Sequence, residues 1–378
     1  MPGMSETGRL VLFLFVVLTV WTGMHAYVLA RLWSLPPLAG PARPWVLAVV
    51  GFFWAAYPAG RILIARGAGR AGVILEAVGA TWLGVIFLLL VALLAADLVT
   101  GFGFWWPSAA RTAKIVAVAS ACVLSAVALL QGLRPPVVSE HDVVIPGLPD
   151  EIAGTRVVML SDLHVGTLLG TRWLERLGER VRDLDPDLVV IAGDLVDAEA
   201  LTVRESLPAL KQLQAPLGVF AVTGNHEFYA GLDQSVKLMR DAGYRVLRDS
   251  WAAPTPGLVV AGVEDLTARR QFGFDNDPLP HTLDGIPEGA AVILLSHTPW
   301  QVRQAAEAGV HLMFSGHTHG GQIWPFSWLV RLQYRYVGGR YQVGDMTLIV
   351  SRGTGFWGPP MRLWRPAEII LITLIDGQ

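Results

Sequence analysis

The sequence has one cysteine, Cys122, and no run of lysine or arginine residues. A single thiol excludes an intramolecular disulfide and a cysteine-based zinc finger. The formal net charge is −2, from 29 basic and 31 acidic residues. This balance argues against a nucleic-acid partner, because general nucleic-acid binders usually carry a basic face. Charged residues make up only 16% of the chain and hydrophobic residues 53%, and the apolar excess lies in the first third.

Four long apolar segments carry this excess: Leu10–Leu32, Trp45–Ala65, Leu75–Leu98 and Ile115–Leu133. Each is near or above the ~20 residues that cross a bilayer core as a helix. Several tryptophans fall near segment ends or in loops, where the headgroup region favours them, although Trp54 and Trp82 do not. We therefore predict four transmembrane helices in a multi-pass cell-membrane protein. A buried soluble helix bundle is the alternative.

The first apolar segment is expected to remain as an anchor. It is too long for a cleaved signal peptide, and Arg31 follows it in place of a small-residue cleavage site. With four spans, the N-terminus and everything after Leu133 share one side of the membrane. That side carries Arg9, Arg61, Arg66, Arg70 and Arg134, against Arg31, Arg43, Arg111 and Lys114 on the other. The positive-inside rule thus favours, by a small margin, a cytoplasmic C-terminal domain.

The composition changes at Gly132–Pro136, where an apolar run gives way to two prolines and then polar residues. We predict a membrane domain over residues 1–136 and a second domain over 137–378. Downstream, short β-branched runs alternate with helical patterns, which is typical of a layered α/β domain. The predicted strands are Arg156–Ser161, Leu188–Ala192, Val219–Thr223, Leu258–Val263, Ala291–Ser296, Leu312–Ser315, Leu348–Ser351 and Ile369–Leu374. The predicted helices are Thr171–Arg182, Val203–Gln214, Gln234–Ala242 and Trp300–Ala308.

Polar clusters follow five of these strands directly. They are Asp162 with His164, Asp194, Asn225 with His226, His297, and His317 with His319. Side chains at strand ends converge on one rim of an α/β sheet, so the five clusters are expected to form one site.

Carboxylate, amide and imidazole ligands suit Mn, Fe, Co, Ni or Zn, whereas an all-oxygen set would favour Mg or Ca. Without His226, the five clusters contain seven ligand-type side chains, too many for one tetrahedral ion. Two divalent metal ions about 3.5–4 Å apart, sharing a carboxylate, would use them all and activate a water for in-line attack on phosphorus.

The order of these motifs resembles the calcineurin-like metallophosphoesterase superfamily. Ser161-Asp162-Leu163-His164 and Gly316-His317-Thr318-His319-Gly320-Gly321-Gln322 look most like its bacterial membrane-associated branch. The resemblance covers about Val137 to Ile375 and leaves the apolar segments out. It implies an αββα sandwich of two mixed sheets flanked by helices. It also implies one metal at Asp162, His164 and His319, a second at Asn225, His297 and His317, and Asp194 as the bridge. His226 would protonate the leaving oxygen or stabilise the phosphorane.

These features predict a membrane-anchored dimetal phosphoesterase, foremost a phosphodiesterase or pyrophosphatase acting on a lipid-linked substrate through a metal-bridging hydroxide. The expected partners are a phosphoester and the lipid bilayer, and the sequence indicates no oligomeric state. The alternative is a non-enzymatic membrane sensor or assembly protein whose metal domain binds a phosphorylated ligand. His226 favours the enzyme, because a binding module needs no acid beside its metals.

Other residues leave two interpretations open. Asp197 and Glu227 could orient imidazoles or be solvated carboxylates. Arg352 and Arg362 could neutralise a phosphate or form surface ion pairs. Three aromatic residues close to the His-Thr-His loop, Trp324, Phe326 and Trp328, suit bilayer docking, although core packing is favoured.

Three ionisable residues lie in or beside the apolar segments. His25 is expected to form an interhelical hydrogen bond, in preference to a functional role within the membrane. Glu76 and Asp97 bracket the third segment and are expected at the membrane interface instead of in a proton path.

Overall fold

The computed structural model describes residues 6–35, 42–197, 203–274 and 276–377. The chain divides into two compact units, Met1–Leu133 with Gly358–Met361, and Arg134–Trp357 with Arg362–Gln378. We propose that these units correspond to the predicted domains 1–136 and 137–378. The change from helix to strand at Val137 supports this boundary.

The first unit is helical over the described residues. Its helices are α1 (Glu6–Leu32), α2 (Arg43–Ala65), α3 (Gly69–Thr100) and α4 (Pro107–Gly132). All four are long and apolar enough to cross a membrane. Helices α3 and α4 begin six and eight residues before the predicted segments Leu75–Leu98 and Ile115–Leu133, because their first turns lie outside the apolar runs.

Helices α2 and α3 pack closely through glycine. A Cβ atom at Gly79 would lie 2.3 Å from the Tyr57 nitrogen, and one at Gly60 would lie 2.4 Å from the Glu76 nitrogen. Membrane helices use such small residues to bring their backbones together, because lipid gives little apolar driving force for association.

Several polar groups of this unit pair across helices. His25 Nδ1 lies 2.8 Å from the Trp21 carbonyl oxygen, and Trp82 of α3 donates its indole N–H to His25 Nε2 at 2.9 Å. The predicted interhelical hydrogen bond of His25 is therefore confirmed. Arg61 of α2 donates to Glu76 at 3.0 Å. Arg31 of α1 contacts Asp97 at 2.5 Å, so each buried carboxylate of α3 has an arginine partner on another helix.

The second unit contains two six-stranded sheets within the described residues. The first has the order β1-β12-β2-β3-β4-β5 and the second the order β10-β11-β9-β8-β7-β6. Both are mixed, since β12 pairs antiparallel with β2 and β6 with β7, whereas β2, β3 and β4 run parallel. The strands are β1 (Val137–Ile145), β2 (Arg156–Leu160), β3 (Leu188–Ala192), β4 (Val219–Val222), β5 (Arg245–Val246), β6 (Ser250–Thr255), β7 (Leu258–Gly262), β8 (Ala291–Leu295), β9 (Leu312–Ser315), β10 (Gly339–Val343), β11 (Met346–Val350) and β12 (Glu368–Asp376).

This unit also contains helices, several of which cover the outer faces of the two sheets. They are α5 (Thr171–Asp183), α6 (Leu207–Leu210), α7 (Asn225–Tyr229), α8 (Leu232–Asp241), α9 (Leu266–Gln271), α10 (Leu279–Leu283), α11 (Val302–Glu307) and α12 (Phe326–Gln333). Val157 and Met159 of β2 join the core between the sheets, while Val158 and Leu160 pack in the layer that contains α5. This alternation buries both faces of the sheet. The predicted αββα sandwich is confirmed.

The predicted strands are confirmed, with ends that differ by up to two residues. Strands β1, β5, β6 and β10 were not predicted. The helix predicted over Val203–Gln214 is wrong as a single element. The structure instead has a 3₁₀ turn at Arg204–Ser206 followed by the four-residue α6. Pro208 lies in the first turn of α6, and proline fits a helix start but not its interior.

Candidate metal centre

The predicted site residues all follow the carboxyl ends of strands. Asp162 and His164 follow β2, Asp194 follows β3, and Asn225 and His226 follow β4 in the first sheet. His297 follows β8 and the pair His317 and His319 follows β9 in the second sheet. The two packed sheets thus contribute to one rim, and the structure brings all eight residues together there.

The backbone at this rim turns sharply. Asp162, His164, Asp194, His317 and His319 have φ values of 52°, 47°, 51°, 69° and 49°. Left-handed backbone is unfavourable for residues with a Cβ atom, and its concentration in one place is typical of functional sites. The turns are held by backbone hydrogen bonds, including Asp162 N–H to Gly193 O at 3.1 Å and His164 N–H to Asp194 O at 3.0 Å.

Glycines make room for the ligand-type side chains. Gly193 has a φ of 86°, and a Cβ atom there would lie 2.7 Å from His297 Nδ1. A Cβ atom at Gly224 would lie 2.2 Å from Asp194 Oδ1. Any larger residue at either position would displace a side chain of the site.

The first group of donor atoms comes from Asp162, His164 and His319. His164 Nε2 lies 3.1 Å from His319 Nε2, which lies 3.4 Å from Asp162 Oδ1. In the second group, His297 Nε2 lies 3.1 Å from Asp194 Oδ2 and 3.3 Å from His317 Nδ1. Asn225 Oδ1 lies 2.8 Å from the same His317 nitrogen. Asp194 Oδ2 is also 3.8 Å from His164 Nε2, so this carboxylate stands between the groups.

These side chains fit divalent metal ions. Donor atoms bound at about 2.0–2.2 Å to one ion lie roughly 3.0–3.6 Å apart, which matches most of the spacings within each group. The imidazole nitrogens of His164 and His319 face each other in a buried space together with two carboxylates. Such a set of oxygen and nitrogen donors suits first-row divalent ions.

His226 is more exposed than His164 and His297. Its side chain is 16% exposed, whereas that of His297 is 0% and that of His164 is 2% exposed. Its Nδ1 lies 2.9 Å from Asp197 Oδ1, and its backbone N–H donates to Asp194 Oδ1 at 2.9 Å. One of its ring nitrogens also lies within 4.8 Å of donor atoms of His164 and Asp194. A substrate can thus reach the His226 imidazole, and His317 is also partly exposed.

The charges around His226 favour its protonated form. Burial lowers the pKa of His226, but Asp194 and the hydrogen bond and charge of Asp197 outweigh it and raise the pKa to about 9. Burial raises the pKa of Asp197, but hydrogen bonds with His164 and His226 hold it below its usual range. Asp197 also lies 3.4 Å from His164 Nδ1, so it contacts two imidazoles. These contacts support its interpretation as an orienting group.

Glu227 fits neither of its two interpretations. It is fully buried and accepts the backbone N–H groups of Gly224, Asp194 and Val196 at 2.6, 3.0 and 3.1 Å. Its carboxylate therefore joins the loops after β3 and β4 and does not contact an imidazole in these bonds. Burial raises the pKa of Glu227, and the charge of Asp194 raises it further.

The two arginines have structural partners. Arg352 donates through Nε to Glu368 at 2.9 Å, which agrees with the ion-pair interpretation. Arg362 is fully buried and donates to the carbonyl oxygens of Gly353, Gly355 and Arg365. A phosphate-binding role is not supported for either residue, and Arg362 is not at the surface.

Some side chains that contact the site carry no metal-type motif, among them Tyr334 and Ser161, which hydrogen-bond to site residues. Tyr334 places its hydroxyl 2.7 Å from His317 Nε2, which leaves Nδ1 of this ring for the second donor group. Ser161 donates its hydroxyl to Asp162 Oδ2 at 2.6 Å. The position of Ser161 directly before the Asp-x-His motif is a local signal. No local signal in the sequence indicates Tyr334, because only the path of the chain after α12 brings it to His317.

Comparison with known proteins identifies the family. Residues 155–321 match the family model of the calcineurin-like phosphoesterases. A transmembrane protein with a metallophosphoesterase domain from Danio rerio is 34% identical, over 69% of this chain and 62% of that protein. An uncharacterized metallophosphoesterase of Helicobacter pylori is 36% identical over 65% of each chain. One from Aquifex aeolicus is 35% identical, over 58% of this chain and 84% of that protein.

The chain therefore belongs to the calcineurin-like metallophosphoesterases. The match spans less than two thirds of the Danio rerio and Helicobacter pylori relatives, at 62% and 65% of their lengths.

Proposed function

We propose that this protein is a membrane-anchored hydrolase of phosphoesters that uses two divalent metal ions. The position of Asp194 between two donor groups, beside the accessible His226, is the observation that carries the proposal. Asp162, His164 and His319 would hold one ion, Asn225, His297 and His317 the other, and Asp194 both. Mn, Fe, Zn, Co and Ni are the candidate ions.

The bound ions would supply Lewis acidity at phosphorus and a nucleophile from water at neutral pH. The chain itself supplies the proton for the leaving group. Asp197 accepts a hydrogen bond from His226 Nδ1 at 2.9 Å and, with Asp194, favours the imidazolium form, in which Nε2 carries the proton that it would donate to the leaving oxygen. Asp197 would hold the ring in this orientation and stabilise its charge.

We propose that the substrate is lipid-linked, with a phosphodiester or pyrophosphate bond. A domain tethered to a bilayer meets substrates that diffuse in the same plane, which raises their local concentration. The four candidate membrane spans support this proposal. It would be abandoned if purified protein cleaved soluble phosphoesters but left lipid phosphoesters intact.

We further propose that the chain crosses the cell membrane four times, with the metal domain on the cytoplasmic side. A Cys122→Ser protein with Lys237→Cys tests this orientation, because the Lys237 side chain is 65% exposed. A membrane-impermeant maleimide should leave this cysteine unlabelled in intact cells and label it after lysis. Labelling in intact cells would place the domain on the outer side.

The activity is tested with an activated aryl phosphodiester and the matching monoester, using detergent-purified protein with Mn, Zn, Mg, Co or Ni ions, or with chelator. We expect metal-dependent turnover that is lost in Asn225→Ala, because Asn225 belongs to the second donor group. Metal binding without turnover for any ion would favour the alternative of a non-enzymatic module that binds a phosphorylated ligand.

A further inference from the structure

Helix α12 presents its apolar side to the outside of the metal domain. Ser327 is 4% exposed and faces inward. Phe326, Trp328, Leu329 and Leu332 are 45%, 60%, 55% and 83% exposed. At about 100° per residue these four side chains cover an arc of roughly 160° on the side away from Ser327. A helix on a water-facing surface has the opposite distribution, with its apolar side turned inward.

A neighbouring tryptophan extends this surface. The Trp324 ring lies 5.5 Å from that of Trp328 and 5.2 Å from that of Trp364, which is 56% exposed. We call Trp324, Phe326, Trp328, Leu329, Leu332 and Trp364 the aromatic patch. Contiguous exposed apolar surfaces on soluble proteins usually mark a binding surface. The preference for core packing in the sequence analysis is therefore wrong for Phe326 and Trp328.

The sequence segment that contains α12 carries charges of one sign. From Gly316 to Gly344 the sequence contains Arg331, Arg335 and Arg340 but neither aspartate nor glutamate. All three arginines are exposed. Tryptophan, leucine and arginine together are typical of segments that lie in the headgroup region of a bilayer, where arginines meet lipid phosphates.

We propose that the aromatic patch docks onto the surface of a lipid bilayer that contains anionic lipids. Trp328, Leu329 and Leu332 enter the boundary between headgroups and acyl chains, and Arg331 and Arg335 lie among the phosphates. A lipid surface fits better than a second copy of this chain, because a two-fold contact through the patch would bring the same arginines together. The four candidate membrane spans keep the chain at a bilayer.

The aromatic patch is attached directly to the metal loop. A Cβ atom at Gly321 would lie 2.3 Å from the Ser327 Cα atom, so α12 packs against the turn His319–Gly321 without a gap. Docking therefore holds the metal centre at the level of the headgroups. This step rests on the proposed function, and it identifies the substrate class as phosphoesters in lipid headgroups.

Docking can be measured without any activity. A Cys122→Ser protein with Leu332→Cys carries one label position, and the 83% exposure of Leu332 makes the change compatible with folding. The position is labelled with an environment-sensitive fluorophore, and the protein is reconstituted at one chain per nanodisc with equal parts of phosphatidylcholine and phosphatidylglycerol. We expect a blue-shifted emission that is quenched by lipids with a nitroxide near the headgroup.

Lys237→Cys in the same background is the matched control, because its side chain is 65% exposed on α8. Its label should show the emission of a water-exposed dye and little quenching. Equal quenching at both positions, or none at Leu332, would overturn the proposal. One chain per nanodisc excludes a second copy as the source of the signal. A blue shift without quenching by the nitroxide lipid would show contact within the protein and would also overturn it.

The consequence for activity is tested with the double variant Leu329→Asp and Leu332→Asp. Two charges on the apolar face should lower turnover of a phosphodiester in lipid headgroups by about tenfold or more. Turnover of the soluble aryl phosphodiester should stay unchanged, since neither residue contacts the metal centre. Lys237→Glu changes the net charge by the same amount and should affect neither substrate. Equal turnover of the lipid substrate by wild type and double variant would contradict the proposal.

The two proposals fail in different ways. If wild-type protein cleaves neither substrate, the proposed function fails, while the fluorescence measurement still decides whether the aromatic patch docks. If the label at Leu332 stays in water while both substrates are cleaved, docking fails and the proposed function stands.

Discussion

Asp194 uses both of its carboxylate oxygens at the rim of the sheets. Oδ1 accepts the backbone N–H of His226 at 2.9 Å, and Oδ2 lies 3.1 Å from His297 Nε2 and 3.8 Å from His164 Nε2. The residue is 2% exposed, so its charge has little water to stabilise it. A buried carboxylate in this position needs cations or imidazolium groups around it.

Asp194→Asn should therefore weaken the binding of both metal ions. The amide offers one neutral oxygen in place of two charged ones, and we expect turnover to fall by about 100-fold or more. Metal content by mass spectrometry and turnover of the aryl phosphodiester are the two measurements. Asp345→Asn, at an exposed position, is the control. Full metal content and turnover in Asp194→Asn would contradict its role as the bridge.

Tyr334 is expected to affect metal binding by holding the ring of His317 in place. Its hydroxyl is 2.7 Å from His317 Nε2, and burial raises the pKa of Tyr334 to about 12, so it remains protonated and holds the ring from the far side. Removing a partner of this kind from a metal-binding histidine typically costs about 10–100-fold in metal affinity.

Tyr334→Phe should show this loss in a metal titration of chelator-treated protein. Affinity should fall by roughly tenfold, while the melting temperature of the metal-free protein should change little. Tyr336→Phe is the matched control, because the Tyr336 ring packs on Tyr341 and not on a histidine of the site. Unchanged metal affinity in Tyr334→Phe would assign its hydroxyl a packing role only.

At the scale of elements, hydrogen bonds from one side chain connect two loops of the metal domain, whereas glycines bring two helices of the first unit together. Glu227 accepts three backbone N–H groups from the loops after β3 and β4. One side chain therefore holds the loop of Asp194 and the loop of Asn225 at a fixed distance from each other. Helices α2 and α3 have a side-chain contact at their closest approach, from Arg61 to Glu76 at 3.0 Å. Their close packing depends on the absence of side chains at Gly60 and Gly79.

Gly79→Ala should destabilise the helical unit. The added Cβ atom would lie 2.3 Å from the Tyr57 nitrogen, so α2 and α3 must separate, at a cost of about 1–3 kcal/mol. Thermal unfolding in detergent should show a lower melting temperature. Gly51→Ala on α2 is the matched control, because a Cβ atom there meets nothing within 4 Å. The two variants should differ, and equal melting temperatures would refute the close-packing argument.

At the scale of the whole molecule, the αββα arrangement brings together residues that are far apart in sequence. His164 and His319 are 155 residues apart, yet their Nε2 atoms lie 3.1 Å from each other. One sheet supplies Asp162, His164, Asp194, Asn225 and His226, and the other supplies His297, His317 and His319. Metal binding should therefore stabilise the packing of the two sheets.

Addition of Mn or Zn ions to chelator-treated protein should raise the melting temperature of the metal domain. An ion at 100 times its dissociation constant stabilises the folded state by about 2.7 kcal/mol. For a domain of this size, this corresponds to a shift of roughly 5–10 °C. The shift should shrink in Asn225→Ala, measured by differential scanning fluorimetry. An equal shift in wild type and variant would mean that the ions bind elsewhere.

The sequence by itself determined the helices of the first unit, most strands, a layered α/β domain and the ligand-type residues, and the resemblance of its motifs to a family implied the αββα class. Long apolar runs, alternation and glycine-flanked histidines are local signals, and they need no knowledge of the fold. The edge strands β1, β5, β6 and β10 and the break at α6 escaped prediction, since pairing partners or a single proline decide them.

Only the tertiary structure decided which side chains reach the rim and which face of α12 stays exposed. Tyr334 contacts His317, Glu227 binds backbone amides and Arg362 is buried, and no local pattern distinguishes these outcomes from their alternatives. The apolar residues of α12 follow the metal loop like those of any core helix. They stay outside because Ser327, the small residue of the helix, is the one that fits against Gly321. Side-chain contacts between distant segments depend on the packing of whole elements, which spacing along the chain does not encode.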